Sequence, residues 1–208
     1  AQQLQASLSH YSTDDGLASN AIAHIIQDDH GYIWIATWNG LSRFDGYNFY
    51  NYMTGNASHI PGLHNRIMDM VIDNWQNVWM RMYDGHIFVV DRRKDKIVNP
   101  LENVSGSQDL RTSYPLVVTN NGDVLASMDG VGVYKMRLDQ NNPANNEPQL
   151  ITSNGLNVTC MAEGYHNDIW VGTDKGVHRL DINNLVVQRK SYFPDEKVNN
   201  LYSNGYNI

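Results

Sequence analysis

Short runs rich in β-forming residues recur along the chain, and polar or glycine-containing turns separate them. In the first part of the chain these runs occupy residues 21–27, 32–37, 41–44 and 47–52, and the first of them alternates between apolar and polar positions. Such runs, bounded by turn signals, predict β-strands. No stretch sustains a period of 3.6 residues, so we expect the helix content to be close to zero.

The four-strand unit returns at a regular spacing. Its second run carries a large apolar residue, here called the marker, and successive markers are 45, 46 and 45 residues apart. A glycine follows each marker, and successive glycines are 45, 45 and 46 residues apart. The markers are Trp34, Trp79, Leu125 and Trp170, and the glycines are Gly40, Gly85, Gly130 and Gly176. This period, with four strands in each unit, is typical of β-propeller blades. We expect the markers to pack between blades and the glycines to allow positive φ in tight turns.

The repeat predicts an all-β fold, a β-propeller fragment of about four four-stranded blades with an orphan outer strand at the N-terminus, residues 4–11. The expected units are an N-terminal segment of residues 1–16, blades of residues 17–62, 63–108, 109–154 and 155–198, and the start of a fifth blade at residues 199–208. The orphan strand and the unfinished last unit indicate a piece truncated from a larger ring. Open blade edges present unpaired backbone groups, so we expect self-association through these edges or a homodimer.

Composition narrows the classes of partner. Hydrophobic residues make up 41% of the 208 residues and charged residues 18%, as in ordinary soluble domains, and the net charge is −7. Because the only basic cluster, residues 92–94, is flanked by Asp91 and Asp95, nothing resembles a phosphate-binding surface, and we expect no nucleic-acid partner. No apolar stretch approaches the length of a membrane span. A start at Ala1 without Met suits a chain from which a signal peptide has been removed, and a piece cut from a longer sequence would begin in the same way.

Motifs for metal binding or covalent catalysis are missing from the sequence. The eight histidines form no metal-ligand spacing, and the single cysteine, Cys160, lies between apolar neighbours, which favours a buried structural thiol. The pair Asp28-Asp29 is best read as turn residues, and Asp73-Asn74 and Asn120-Asn121 are assigned to the same place in their units. We therefore predict no metal, no cofactor and no catalytic residue.

Ligand recognition is the more open question. In a propeller, the turn between the second and third strands lies on the same face as the connection into the next blade. We selected five residues on this face or on the strands next to it, because aromatic rings and Asn or Arg side chains suit sugars. They are Trp38, Asn39, Arg66, Arg81 and Tyr83. The sequence does not decide whether Arg81 forms a buried ion pair or contacts a ligand. Trp75 should lie on the opposite face, where it either contacts another domain or a partner or is merely exposed to solvent.

The repeats resemble the two-component regulator propeller repeat. The resemblance rests on GLASN at residues 16–20, IIQDDHGYIWIAT at residues 25–37, GLSRFDG at residues 40–46 and IWVGTDKGVHRLD at residues 169–181. It implies the periplasmic sensor region of a hybrid two-component histidine kinase, in which seven-bladed propellers precede a membrane helix and cytoplasmic signalling domains. It also implies an oligosaccharide ligand and control of polysaccharide-use genes. The membrane would be reached only through a downstream helix.

Two other classes of function stay open. The chain could be a scaffold or protein-interaction propeller that supports dimerisation of the sensor. It could also be a propeller lyase, but this would require a cluster of His, Glu or Arg in the channel, and the carboxylates and histidines are placed as turn residues. The leading interpretation is a non-enzymatic sensor module.

Overall fold

A computed structural model describes residues 8–52, 65–139, 141, 146–152, 157–164, 168–181 and 186–202. Four antiparallel sheets of four strands follow one another along the chain, and in each sheet the strands are ordered as in the sequence. The only helices among the described residues are two single 3₁₀ turns, Thr13–Asp15 and Ser107–Asp109. The all-β propeller architecture predicted from the repeat is confirmed, and each sheet is called a blade below.

The strands are short and begin or end at the predicted turns. The first blade comprises β1 (Ile22–Gln27), β2 (Ile33–Thr37), β3 (Gly40–Phe44) and β4 (Phe49–Tyr52). The second comprises β5 (Ile67–Ile72), β6 (Val78–Met82), β7 (Ile87–Asp91) and β8 (Lys96–Val98). The third comprises β9 (Val117–Val118), β10 (Val124–Met128), β11 (Gly132–Met136) and β12 (Gln149–Thr152). The fourth comprises β13 (Val158–Glu163), β14 (Asp168–Thr173), β15 (Gly176–Asp181) and β16 (Val186–Tyr192).

The blades pack face to face through apolar side chains. Trp34 of the first blade shares a buried cluster with Met80 and Phe88 of the second, and Trp79 of the second is buried with Val124 and Tyr134 of the third. Leu125 is likewise buried with Val158 and Ile169 of the fourth blade, so these three markers cover the neighbouring sheet, as a stack of twisted sheets requires. The four repeat glycines all adopt positive φ, between 70° and 114°. The predicted roles are thus confirmed for the glycines and for three of the markers, whereas Trp170 is half-buried and packs on Tyr192 of its own blade.

A carboxylate lies beneath two of the marker indoles. Asp28 accepts a hydrogen bond from Trp34 Nε1 at 2.9 Å, and Asp73 accepts one from Trp79 Nε1 at 2.8 Å. The other oxygen of each carboxylate accepts backbone N–H groups of its own turn. The turn interpretation of these aspartates is correct, and the same side chains also satisfy the only polar atom of each buried indole.

The third and fourth units depart from this arrangement. In the third unit the residue six places before the marker is Thr119, whose hydroxyl accepts from Asp123 N at 3.1 Å, so the assignment of Asn120-Asn121 to this place was wrong by one residue. The marker there is Leu125, which has no N–H to satisfy. In the fourth unit this place holds Gly164. An acid is thus present where a fully buried indole needs an acceptor.

The N-terminal segment lies across the face of the first blade that points away from the second blade. Leu17 is buried, Ala18 N donates to Ser42 Oγ at 3.0 Å, and Asn51 Nδ2 donates to the carbonyl of Gly16 at 2.8 Å. Most of the predicted orphan strand, residues 4–11, lies outside the described residues, and its described part, residues 8–11, forms no strand. The Tyr11 ring packs on Phe44 instead, so this segment covers the sheet through side chains.

The connection that follows the fourth blade covers that blade. Val198 N donates to the carbonyl of Thr173 at 2.9 Å, and its carbonyl accepts from the Thr159 hydroxyl. Most of the predicted fifth unit, residues 203–208, lies outside the described residues. The proposed unit boundaries and the larger ring remain predictions.

Candidate ligand-binding site

One face of the molecule is framed by the turns between the second and third strands of the blades. In every blade the first residue of this turn donates its N–H to the carbonyl of a residue in the connection that leads into the first strand. These bonds are Trp38 N to Ala21 O (3.0 Å), Tyr83 N to Arg66 O (2.9 Å), Asp129 N to Arg111 O (2.8 Å) and Asp174 N to Asn157 O (3.3 Å). We call these turns, with the residues that accept their bonds, the rim. The predicted shared face is therefore present.

Arg66 lies between two aromatic rings on the rim. Its guanidinium carbon is 4.0 Å from the centre of the Trp38 ring and 4.2 Å from the centre of the Tyr83 ring. Trp38 belongs to the first blade and Tyr83 to the second, and both rings remain about half exposed. Three of the five predicted site residues therefore form a single stack in which a cation joins two blades.

Asn39 lies beside this stack on the first turn. Its Oδ1 accepts a hydrogen bond from Asn65 Nδ2 at 3.3 Å, and the carbonyl of Asn65 accepts from Gly40 N at 2.8 Å. Asn39 is exposed. The structure thus places this candidate on the rim, in contact with the connection that enters the second blade.

Arg81 forms an ion pair across the first two strands of the second blade. Its Nε and Nη2 donate to Asp69 Oδ2 at 2.9 and 2.8 Å. The matching cross-strand pairs are His24 with Ala36 in the first blade and Cys160 with Gly172 in the fourth. The ion-pair alternative for Arg81 is therefore confirmed. The same residue also lines a cleft, so a ligand contact remains compatible with it.

A cleft of about 420 Å³ opens on the rim between the second and third blades. It is lined by Arg81, Tyr83, Asp84, Gly85, Arg111, Thr112, Ser113 and Asp129. Two of the five predicted residues, Arg81 and Tyr83, are in its wall, whereas Trp38, Asn39 and Arg66 are not. The volume suits a small ligand of about one to three sugar rings.

Gly85 allows the two blades to approach at the cleft. Its φ is +84°, and a Cβ at this position would lie 3.1 Å from Arg111 Cβ and 3.1 Å from the backbone nitrogen and oxygen of Thr112. The carbonyl of Gly85 accepts from Thr112 N at 2.8 Å. This repeat glycine is therefore required both by its backbone conformation and by the close contact.

The acidic side chains of the cleft are held in place by hydrogen bonds. Asp129 accepts from the Ser113 hydroxyl at 2.7 Å and from Ser113 N at 3.3 Å. Asp84 contacts His86 Nδ1 at 2.9 Å and accepts from His86 N at 3.2 Å. Each carboxylate oxygen has two acceptor positions, so Asp129 can still accept a hydroxyl group of a ligand.

Arg111 was not among the predicted site residues. One of its terminal nitrogens donates to the carbonyls of Gln108 and Leu110, at 2.6 and 2.8 Å. It stands 45 residues after Arg66, at the same place in the next unit. That spacing was the signal that could have identified it, because the repeat places equivalent residues at equivalent points on the rim.

A cluster of Asp28, Asp29 and His30 brings potential metal-ligand atoms within 4.8 Å of one another. Asp28, however, already accepts from two backbone N–H groups and Trp34, and Arg92 lies 3.3 Å from it. These contacts account for the carboxylate as part of the turn. We assign no metal to the cluster.

Cys160 lies on the first strand of the fourth blade, against the backbone of Gly172. A Cβ added at Gly172 would lie 2.5 Å from Cys160 Sγ. Burial raises the pKa of the thiol, which disfavours the nucleophilic thiolate. The contact explains both the small residue at position 172 and the packing role of the cysteine.

Comparison with known proteins agrees with this architecture. Residues 16–39 match the family model of the two-component regulator propeller. No curated protein sequence matches the chain. No helix in the described part of the chain has the length and hydrophobicity needed to cross a membrane.

Solved structures with the same fold include two extracellular domains assigned to hybrid two-component systems of B. thetaiotaomicron. The BT4673 domain is 19% identical with a TM-score of 0.53, and the match covers 90% of this chain and 31% of that one. The BT3049 domain is 15% identical with a TM-score of 0.50, covering 88% and 31%. Virginiamycin B lyase from Staphylococcus aureus is 16% identical with a TM-score of 0.55, covering 81% and 54%. The chain thus spans about a third of each extracellular domain, shares their propeller fold, and carries the two-component regulator propeller repeat at residues 16–39.

Proposed function

We propose that this chain is a non-enzymatic sensor module of a two-component signalling protein, that it lies in the periplasm, and that it recognises an oligosaccharide through the cleft between the second and third blades. The repeat at residues 16–39 and the fold shared with extracellular domains of hybrid two-component systems support the sensor role. A kinase, and control of polysaccharide-use genes, belong to the same proposal for the longer protein.

The composition of the cleft is the observation that carries the ligand proposal. Tyr83 offers an exposed ring, Arg81 and Arg111 offer donors, and Asp84 and Asp129 offer acceptors. Sugars present C–H faces that pack on aromatic rings and hydroxyl groups that both donate and accept. The wall of the cleft therefore matches the two kinds of surface that a sugar offers.

Calorimetric titration of the chain with an unfractionated digest of plant polysaccharides tests this proposal. We expect a saturable heat, and Tyr83→Ala should weaken the binding about tenfold or more. Tyr47→Ala is the matched control, because Tyr47 is 90% exposed and lies in the hairpin turn between β3 and β4, away from the rim. Absence of binding in the unmodified chain, or equal loss in both variants, would contradict the proposed site.

An interaction role has one observation in its favour. Ile22 and Ile25 on the first strand of the first blade are 45% and 54% exposed. Apolar residues exposed on a sheet favour association with another copy or another blade. Sedimentation velocity at increasing protein concentration tests self-association, which Ile25→Lys should weaken. A monomer at every concentration would refute it.

The lyase alternative gains no such support. Virginiamycin B lyase shares only its fold with this chain, and a shared fold does not identify catalytic residues.

A further inference from the structure

We propose, on the basis of the function proposed above, that the cleft selects a neutral saccharide over an acidic one, and that Tyr83 is its stacking platform with Arg66 as the residue that positions the ring. Three observations lead to this inference. They are the balance of charges around the cleft, the state of its hydrogen-bonding groups, and the stack on the rim.

The charges at the cleft cancel. Three arginines lie in its wall or directly behind it, and three aspartates lie among them. They are Arg66, Arg81 and Arg111, with Asp69, Asp84 and Asp129. Arg81 is already neutralised by Asp69, and the whole chain carries a net charge of −7. A carboxylate or sulfate on a ligand would therefore meet no net positive potential, and it would approach the side chains of Asp84 and Asp129 in the wall.

The hydrogen-bonding groups of the cleft are mixed in kind. Arg81 uses Nε and Nη2 on Asp69, and its Nη1 makes no hydrogen bond within the described residues. Asp129 is fixed by Ser113 and can still accept. A sugar hydroxyl both donates and accepts, so it can satisfy an arginine and an aspartate together, whereas a carboxylate can only accept. The wall suits hydroxyl groups better than acids.

The stack on the rim holds the Tyr83 ring ready for a ligand. Arg66 covers one face of the ring at 4.2 Å, and Trp38 supports Arg66 from its other side at 4.0 Å. A main-chain hydrogen bond from Tyr83 N to the carbonyl of Arg66 also holds the backbones of these two residues together. A ring held in this way loses little conformational freedom when a sugar packs on it, which improves affinity.

The experiment uses two probe pools, neutral xylo-, gluco- and arabino-oligosaccharides on one side and oligogalacturonates on the other, each titrated into the chain by calorimetry at low and at high NaCl. We expect a neutral probe to bind with an affinity that does not depend on salt. Tyr83→Ala should weaken it about tenfold or more, Tyr83→Phe should preserve it, and Tyr47→Ala should leave it unchanged. Arg66→Met should weaken binding, and Arg66→Lys should restore part of it.

The outcomes separate this inference from the function on which it rests. Binding of the oligogalacturonates alone, with an affinity that falls as salt rises, would overturn the neutral preference. It would still support the proposal that the cleft binds an oligosaccharide. Binding of neither pool would overturn both. Neutral binding that Tyr83→Ala does not weaken would overturn Tyr83 as the platform, and binding unaffected by Arg66→Met would overturn the positioning role.

Discussion

The guanidinium of Arg66 lies against the indole of Trp38, 4.0 Å from its centre, although the two residues belong to successive repeat units. Tyr83 completes the stack at 4.2 Å. A cation held between two rings adds attraction to an inter-blade contact that is half exposed to water. The contact therefore joins the blades at the face where the cleft opens.

Removal of the Arg66 charge should destabilise the fold modestly. We expect Arg66→Met, which keeps the aliphatic stem, to lower the free energy of unfolding by about 0.5–2 kcal/mol. Urea unfolding followed by tryptophan fluorescence measures the difference. Lys96→Met is the control, because Lys96 lies exposed on β8. A loss of equal size in the control would show that the stack contributes nothing specific.

Asp73 should be important for stability because of the indole above it. We expect Asp73→Asn to cost about 1–3 kcal/mol of unfolding free energy, because an amide group turns one acceptor oxygen into a donor facing Trp79 Nε1 or the turn N–H groups. Asp29→Asn, at an exposed position of the equivalent turn, should change stability by less than about 0.5 kcal/mol. Comparable unfolding midpoints for the two variants would refute this role.

The ionisation of Asp73 should also be visible in the pH dependence of stability. Burial raises the pKa of this carboxyl above its ordinary value of 3.8, against the opposing effect of the hydrogen bonds from Trp79 and Asn77. The folded state therefore takes up a proton before the unfolded state does, and acidification through this range favours folding.

Unfolding free energies measured from pH 7 down to pH of about 4 test this linkage. The difference between the unmodified chain and Asp73→Asn should grow in favour of the unmodified chain as the pH falls through the raised pKa. A difference that stays constant, or shrinks on acidification, would contradict the assigned direction of the shift.

The Arg81–Asp69 pair offers a test that uses the repeat itself. Asp69 Oδ1 is buried without a hydrogen-bond partner, so Asp69 depends on Arg81 for compensation. We expect Arg81→Ala to cost about 2–4 kcal/mol, because it leaves this carboxylate uncompensated. The double change Asp69→His with Arg81→Ala recreates the pair that the first blade has at His24 and Ala36, and it should cost less than the single change. A double variant less stable than Arg81→Ala would refute the coupling.

The strands and the shared rim could be predicted from the sequence because both depend on local periodicity. The glycine at each tight turn and the markers repeat with the blade, so Trp38, Tyr83 and Arg66 could be assigned to one face. The partner of Arg81 could not be identified, because a bulge shifts the register before Asp69. The cleft could not be predicted from the sequence either, because it depends on the contact of Gly85 with Thr112 in the next blade.

The segment before the first blade was predicted less well. Residues 8–11 resemble a strand end in composition, yet Tyr11 uses its ring to cover Phe44, and the backbone joins no sheet. Strand propensity reports on single residues, whereas the choice between edge pairing and face packing depends on tertiary contacts.

Trp75 also had a role that its neighbours in the sequence did not reveal. It lies half-buried against Gly122 of the third blade, where a Cβ would come within 2.6 Å of the indole, and the Arg137 guanidinium lies 5.3 Å from its ring. The residue is therefore a contact between blades.

The four main-chain bonds that hold the rim involve only N–H and carbonyl groups. Residues as different as Trp38, Tyr83, Asp129 and Asp174 therefore occupy the same backbone frame. Substitutions at these four positions therefore change the side chains that the face presents, and no insertion or deletion is needed. Chains of this repeat can thus vary the chemistry of the rim while the blades keep their lengths.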